Sequence, residues 1–388
     1  MAANSIWNFR RAILDNEVQS SDDATKIVKL PLSNVLHTLY VKVKCTNGAT
    51  SAKNQSIEDV VDKIEVVANG SDVLFSMTPA EIKRWALWFT GLNIPQVRDE
   101  RGGAVQEAVY PIHFGRMPYD PEYYLPVARL ADLEVRIKYS PTIAATSFAT
   151  GTVALSVFAD MTMNGQPGDY RGTLSHKTVR AFTSAASGDD QTLIPRGNLL
   201  RQLMVYAYEA GIEDGVDITR VKFDLNNEER VPYNLLWKDI QDLNSYGNWI
   251  NHVERIRAFL ADTDVLNTKV ARIGSVNVSE NFAGNATTDE IYFRRVTTLA
   301  GDALTVEGLK ADITAGAEDL TLDATGRNTY VVVAGENLSH AVVLDFSALG
   351  EQSILNTNEY DQIRLTLTQG GAGADVRIST QELRYIGG

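Results

Sequence analysis

The feature that most limits what this chain can fold into is a repeat, because one β-rich unit is written twice. Leu30-Pro31-Leu32-Ser33-Asn34-Val35-Leu36-His37-Thr38-Leu39-Tyr40-Val41 lies over Ile194-Pro195-Arg196-Gly197-Asn198-Leu199-Leu200-Arg201-Gln202-Leu203-Met204-Val205, with five of the twelve positions coincident. Downstream, the two copies keep the same order. A strand pattern over Val61 to Gly70 ends in Asn69-Gly70, and one over Ile218 to Asn227 ends in Asn226-Asn227. Both endings suit a turn that visits positive φ. A helix signal comes after Pro79 and another after Pro232. Ile112-His113-Phe114-Gly115 then answers Leu344-Asp345-Phe346-Ser347, and Leu133 to Ile137 answers Ile363 to Leu367. Each copy closes on a strand, near Val153 to Phe158 and Val376 to Leu383.

The offset between copies is 164 at Pro31 and Pro195, 157 at the asparagine turns and 232 at Phe114 and Phe346. Order is kept while spacing changes twice. The small change trims the loop around Thr46 to Ser56. The large one places an insertion, roughly Asn251 to Leu338, between the helix and the next strand of copy two. Its own runs are strand-like: Val270 to Val278, Glu290 to Val296, Leu304 to Val306, Leu320 to Leu322 and Thr329 to Val333. Sandwich frameworks tolerate unequal loops because closure entropy grows slowly with length.

Helical signals are few. Thr78-Pro79-Ala80-Glu81 reads as a capping box with proline at the first helical position. Ile82, Trp85, Ala86 and Phe89 then share one face, and Gly91 stops the helix. In copy two, Leu236, Ile240 and Leu243 make the corresponding stripe before Gly247.

The chain has 388 residues, with 36 basic and 49 acidic side chains giving a net charge of −13. Such a balance opposes broad contact with nucleic acid, whose affinity rests on cations neutralising phosphates. No apolar run reaches the roughly 20 residues of a spanning helix, and Met1 to Asp15 has no leader signature. Cys45 is the single cysteine, so neither an intrachain disulfide nor a cysteine zinc site is encoded.

An eight-stranded sandwich unit with a short helix, duplicated in tandem with unequal loops, resembles the double jelly-roll major capsid proteins of the adenovirus hexon lineage. These come from tailless icosahedral viruses, many with an internal membrane. Lys63 to Ser71 leading into Met77-Thr78-Pro79-Ala80-Glu81-Ile82 carries the likeness best, which extends from about Lys26 to Gly388. The expected fold is all-β: an N-terminal arm (1–25), a first jelly roll (26–163), a Gly/Ser/Thr/Asp-rich linker (164–190) and a second jelly roll (191–388) carrying the 251–338 tower. The resemblance implies a structural protein, not an enzyme, that forms pseudo-hexagonal homotrimers and tiles a shell. Its implied partners are neighbouring capsomers, minor capsid or vertex proteins and an internal membrane, with no sequence-specific nucleic acid. The implied location is the virion, after assembly in the host cytoplasm. A carbohydrate-binding or carbohydrate-active β-sandwich with Trp249 as a stacking platform, and a spike or minor vertex protein, are the alternatives.

Candidate chemistry is sparse. His37, His113, His176, His252 and His340 are scattered, without the clustered set that cupins, the enzymatic jelly rolls, use to hold a metal, so no cofactor is expected. Gly370 to Asp375 reads as a flexible hairpin. The carboxylates Glu213, Asp214 and Asp217, and Asp189 with Asp190, read as solvated loops. Four glycosylation patterns begin at Asn54, Asn277, Asn285 and Asn337. Ile6, Trp7, Phe9, Ile13 and Leu14 fall on one broad helical face with Arg10 among them and Arg11 at its edge. This segment is expected to be an amphipathic assembly arm that either lies at a membrane surface or, in the favoured reading, packs beneath the sandwich or against a neighbouring subunit.

Overall fold

The computed structural model describes residues 6–49, 55–141, 148–163, 168–247, 250–260, 263–280, 290–300, 303–312, 321–323 and 327–386. The first unit runs β1 (Trp7–Val18), β2 (Ala24–Lys29), β3 (Val35–Thr46), β4 (Val61–Ala68), β5 (Asp72–Met77), α1 (Pro79–Thr90), β6 (Gln96–Asp99), β7 (Val105–His113), β8 (Leu133–Tyr139) and β9 (Ala154–Met163). The second runs β10 (Thr173–Thr183), β11 (Gly188–Leu193), β12 (Leu199–Tyr208), β13 (Ile218–Leu225), β14 (Arg230–Leu236) and α2 (Trp237–Gly247). Next comes the insertion, β15 (His252–Leu260), β16 (Thr263–Asn267), β17 (Ile273–Glu280), β18 (Glu290–Ala300), β19 (Ala303–Asp312), β20 (Thr321–Asp323) and β21 (Arg327–Gly335). The second unit then resumes with β22 (Ala341–Asp345), β23 (Leu355–Asn356), β24 (Ile363–Gln369) and β25 (Asp375–Arg384).

Each unit is a jelly roll. In the first, β1-β9-β3-β7 and β2-β8-β4-β5 share one apolar core; in the second, β10-β25-β12-β22 and β11-β24-β13-β14 do the same. The repeat holds at the level of register. Thr38 pairs with His113 as Gln202 pairs with Asp345, and Ala68 with Leu133 as Leu225 with Ile363. Trp7 pairs with Met163 as Thr173 pairs with Arg384. Even the bulges recur, between Ala12 and Leu14 as between Thr178 and Arg180, and between Leu36 and Thr38 as between Leu200 and Gln202. Bulges bend and twist a strand locally, so their repetition means the two rolls curve alike.

The asparagine turns work as the sequence suggests. Asn69 and Asn226 have φ of 51° and 52°. The Asn69 side chain accepts from Ala131 N at 2.8 Å, and the Asn226 side chain from Asp361 N at 2.9 Å. Asparagine tolerates the left-handed region because its short amide bonds locally. The phenylalanine match also holds, since Phe114 N donates to His37 O and Phe346 N to Arg201 O, both at 3.0 Å.

The rolls lie side by side as one continuous sheet. β5 pairs in parallel with β10, Phe75 opposite His176 and Ser76 opposite Lys177. The β10-β25-β12-β22 sheet is consequently buried on both faces. Leu203, Val205, Val342 and Leu344 enter the second core, while Met204, Tyr206, Ala341 and Val343 join the first. The insertion docks on the roll that does not carry it: β15 pairs in parallel with β6, which extends the first roll's sheet into β15-β21-β17.

Four expectations are corrected. Residues 7–18 form a strand, not a helix. Their apolar spacing fits both periods, and pairing with β9 along the whole segment decides between them. Most of the expected linker is structure: β10 lies inside a sheet between β5 and β25, where Ser175 and His176 are buried and hydrogen-bonded, and β11 is polar because it lies at a sheet edge, where side chains face water. Pro232 lies in the edge strand β14, where a missing N–H is tolerated, and the helix begins five residues later. The buried face of α2 is Trp237, Ile240 and Gln241, whereas Leu236 and Leu243 are exposed. The Gly370 to Asp375 segment is a corner that carries the chain from one sheet to the other, since β24 and β25 belong to different sheets.

Asn69→Ala and Asn226→Ala each combine a left-handed residue with a lost hydrogen bond, so each is expected to lower stability by about 1–3 kcal/mol. Urea unfolding of the two variants should show comparable losses; a loss confined to one would mean that the turns are not equivalent.

Candidate assembly surfaces

The seat of α1 is the first surface. Thr78 N donates to Glu81 Oε2 at 3.0 Å and Glu81 N to Thr78 Oγ1 at 3.5 Å, which closes the expected capping box. Gly91, at φ 65°, ends the helix. Trp85 crosses to the second roll, where its indole N–H donates to Ser379 Oγ at 3.1 Å and its ring meets His176 edge-on at 5.2 Å. The Arg84 guanidinium lies over the Tyr206 ring at 5.2 Å. The helix is buried on nearly all sides, so its cations Lys83 and Arg84 are buried with it.

Those cations belong to an ionic joint that the sequence did not reveal. Lys83 Nζ lies 2.7 Å from Glu58 and 3.3 Å from Glu254; Arg98 lies 3.1 Å from Glu254 and 2.8 Å from Glu100. Lys269 Nζ lies 3.2 Å from Glu58 and 3.4 Å from Asp59, and Arg84 approaches Glu58 at 3.9 Å. Four cations face four carboxylates, and every side chain except Lys269 and Asp59 is at most 4 % exposed. Burial alone would raise the Glu254 carboxyl, but Lys83 and Arg98 outweigh it and hold the group at about 2. Glu58 is likewise held well below the usual range, burial being overcome by Lys269, Lys83 and Arg84. Glu58 and Arg98 come from the first roll and Glu254 and Lys269 from the insertion, so the joint fastens one to the other. Adjacent Lys83 and Arg84 on an otherwise apolar helix were the available sequence signal. Their partners are distant in the chain, Glu254 lying 171 residues from Lys83.

An open cleft of about 690 Å³ borders this joint, lined by Glu58, Asp59, Lys63, Tyr206, Lys269 and Arg377 among others. Its lining mixes both signs of charge, so it favours no single ionic ligand.

All five histidines are buried. His37 Nε2 contacts Thr162 Oγ1 at 2.7 Å, His113 Nδ1 contacts Thr38 Oγ1 at 3.1 Å, and His252 Nδ1 contacts Ser339 Oγ at 2.8 Å. His176 Nε2 meets Gln381 Nε2 at 2.9 Å, and His340 packs edge-on against Tyr208. Burial pushes His37, His113 and His340 down to about 4 and His176 to about 3, and drives His252 well below its ordinary value. Among the described residues, no group of three or more His, Cys, Asp or Glu side chains could share an ion.

The residues singled out at the N-terminus separate on β1. Ile6 and Trp7 are 53 % and 59 % exposed, and Arg11 is exposed. Phe9 and Ile13 pack on the first core. Arg10 binds Asp160 through two bonds, 2.6 and 2.9 Å, and lies over Tyr40 at 4.6 Å. Other readings change. Asp214 and Asp217 are buried instead of solvated: Asp214 accepts from Trp237 Nε1 at 2.7 Å and from His340 N at 3.0 Å, which ties α2 to its roll. Burial, reinforced by Glu209, pushes the Asp217 carboxyl up to about 6. Asp189 and Asp190 lie on β11, Asp190 paired with Arg180 at 2.6 Å. Of the glycosylation patterns, Asn337 is 1 % exposed and so closed to modification in the folded chain, and Asn277 is exposed. Asn54, Asn285 and Trp249 lie outside the described residues.

Removing one member of a buried ionic group leaves the others uncompensated, so Glu254→Gln is expected to lower stability by about 3–5 kcal/mol; thermal unfolding that barely moves would show that the joint carries no such weight. The histidines set a pH dependence. Their folded values lie below the unfolded value of about 6.5, so the unfolded chain binds more protons between roughly pH 6.5 and 4, and stability falls with pH across that window. Down to pH 4.5, His37, His113, His176 and His340 each contribute up to about 3 kcal/mol, His252 acts in the same direction, and Asp217, shifted upward, opposes them. Urea midpoints measured from pH 7 to 4.5 should decline steadily, and a flat profile contradicts the assignment of neutral buried imidazoles.

No family model matches the sequence, and no curated protein matches it. Solved structures do match over nearly the whole chain. The STIV MCP crystal structure aligns with a TM-score of 0.56 at 10 % identity, covering 98 % of this chain and 97 % of that one. A chain in the atomic structure of Sulfolobus Turreted Icosahedral Virus aligns with a TM-score of 0.57 at 10 % identity, covering 98 % and 91 %. The major capsid protein P2 from bacteriophage PM2 aligns with a TM-score of 0.50 at 11 % identity, covering 97 % and 98 %. The chain therefore has the fold of these viral major capsid proteins, two jelly rolls in tandem.

Proposed function

We propose that this chain is the major capsid protein of an icosahedral virus and that three copies close into a ring of six jelly rolls, a pseudo-hexagonal tile. The observation that carries the reading is the duplication itself, strand for strand and bulge for bulge, across both rolls. Two similar units side by side let a three-fold ring present six similar edges, the shape that packs a surface. In such a ring each copy shows two different faces to its neighbours. Function then lies in contact and shape, not catalysis.

The proposed division is a first roll, a second roll and the 251–338 insertion as an outward tower. Ile6, Trp7, Arg10 and Arg11 lie along the edge that meets a neighbouring subunit, which Phe9 and Ile13 anchor to its own core, with capsomers, minor or vertex proteins and an internal membrane as further partners. Assembly takes place in the host cytoplasm and the product is the virion shell. A net charge of −13 keeps free tiles apart until they dock.

Native mass spectrometry is expected to find three times the 42.6 kDa chain mass, and negative-stain images are expected to show three-fold or hexagonal outlines. A single chain at every concentration would remove the basis of this reading.

A further inference from the structure

The register shared by the two rolls specifies how one copy meets the next. Within the chain, the first roll offers the edge of β5 and the face of α1, and the second roll covers them with β10 and β25. The second roll owns the same two features, the edge of β14 and the face of α2; among the described residues no strand pairs with that edge, and Arg272 of the insertion reaches the helix at Asp242 and the Lys238 carbonyl, leaving Leu243 and Tyr246 exposed. The first roll in turn leaves β1 as a sheet edge, with Phe158 of β9 and Tyr40 and Lys42 of β3 part-exposed beside it.

The strand pairings and helix starts give the equivalences. Phe75, Ser76, Arg84, Trp85 and Trp88 correspond to Tyr233, Asn234, Asp242, Leu243 and Tyr246. On the receiving side, His176, Lys177, Tyr206 and Ser379 correspond to Arg10, Arg11, Lys42 and Phe158. Each contact inside the chain then maps to a complementary pair. Trp85 on Ser379, large against small, becomes Leu243 on Phe158, smaller against large. Arg84 over Tyr206 becomes Asp242 facing Lys42, opposite charges. Phe75 beside His176 becomes Tyr233 beside Arg10, a ring beside a cation. Trp85 and Trp88 are 3 % and 8 % exposed, whereas Leu243 and Tyr246 are 60 % and 96 % exposed. Asp242 and Lys42 already have partners in their own chain, Arg272 and Glu107, so their pairing adds to existing networks.

We infer that a second copy of this chain occupies the exposed face of α2 and the β14 edge: β14 of one copy pairs in parallel with β1 of the next, Tyr233 opposite Arg10 and Asn234 opposite Arg11, and Leu243 seats on Phe158. This inference rests on the trimer reading and assigns its contacts. Pro232 removes one donor beside the pairing residues, which keeps the edge from extending into open-ended strand addition.

Two variants test it. Paired strand positions bring Cα atoms within disulfide range. Arg11→Cys with Asn234→Cys should therefore give, on mild oxidation, non-reducing bands at two and three chain masses, while either single substitution gives none. Leu243→Asp removes a contact that is exposed in the lone chain, so it should leave circular dichroism unchanged and weaken assembly by about 30-fold or more. Either result supports the junction. A wild-type trimer that yields neither overturns this junction and leaves the trimer reading standing, whereas a wild-type chain that never associates overturns both.

Discussion

Two residue pairs between β5 and β10 determine how the halves of this chain lie. Phe75 opposite His176 and Ser76 opposite Lys177 turn two separate sheets into one. A strand edge has unpaired backbone groups that need a partner or water, and this short parallel contact satisfies one edge with another. It also sets α1 against the second roll, so alternate residues of β12 and β22 face opposite directions into two different cores. The apolar run Leu203 to Ala207 results from that position: a strand buried on both faces does not alternate.

Much of this was legible in the residues, for physical reasons that differ by element. Pro31 and Pro195 mark equivalent strand entries, the residue before each bonding an equivalent carbonyl, Leu30 N to Leu133 O and Ile194 N to Ile363 O. Asn69 and Asn226 mark positive φ, and Phe114 and Phe346 each end a strand by bonding to the bulge residue of its neighbour. The first strand misled because Ile6, Trp7, Phe9, Ile13 and Leu14 suit a helical face. The bulge at Ala12 to Leu14 breaks the period of two that would have exposed the strand. The polar β11 passed for linker because an edge strand in water needs few apolar side chains. Of the N-terminal candidates, Trp7 and Arg11 remain open to a partner, while Phe9, Arg10 and Ile13 are engaged within the roll. What composition could not supply was pairing over long separations, such as Lys83 with Glu254.

The joint between insertion and first roll is ionic where the rolls' own cores are apolar. Buried ion groups of this kind add little net stability over a well-packed apolar contact, because desolvation offsets attraction. Their effect is on geometry: each cation has one arrangement that serves its carboxylates, and a shifted insertion would leave charges unpaired. Among the buried histidines, His176 lies at the same seam, between Trp85 of α1 and Gln381 of β25, so its protonation would disturb a contact between the rolls.

The insertion is threaded into the second roll between α2 and β22, yet its sheet grows from β6 of the first. A lobe rooted in one half and bonded to the other cannot swivel about a single stem, and a push on it is divided between both halves of the subunit. The chain thereby forms a braced strut, stiff against twisting about the stem that joins the lobe to the second roll.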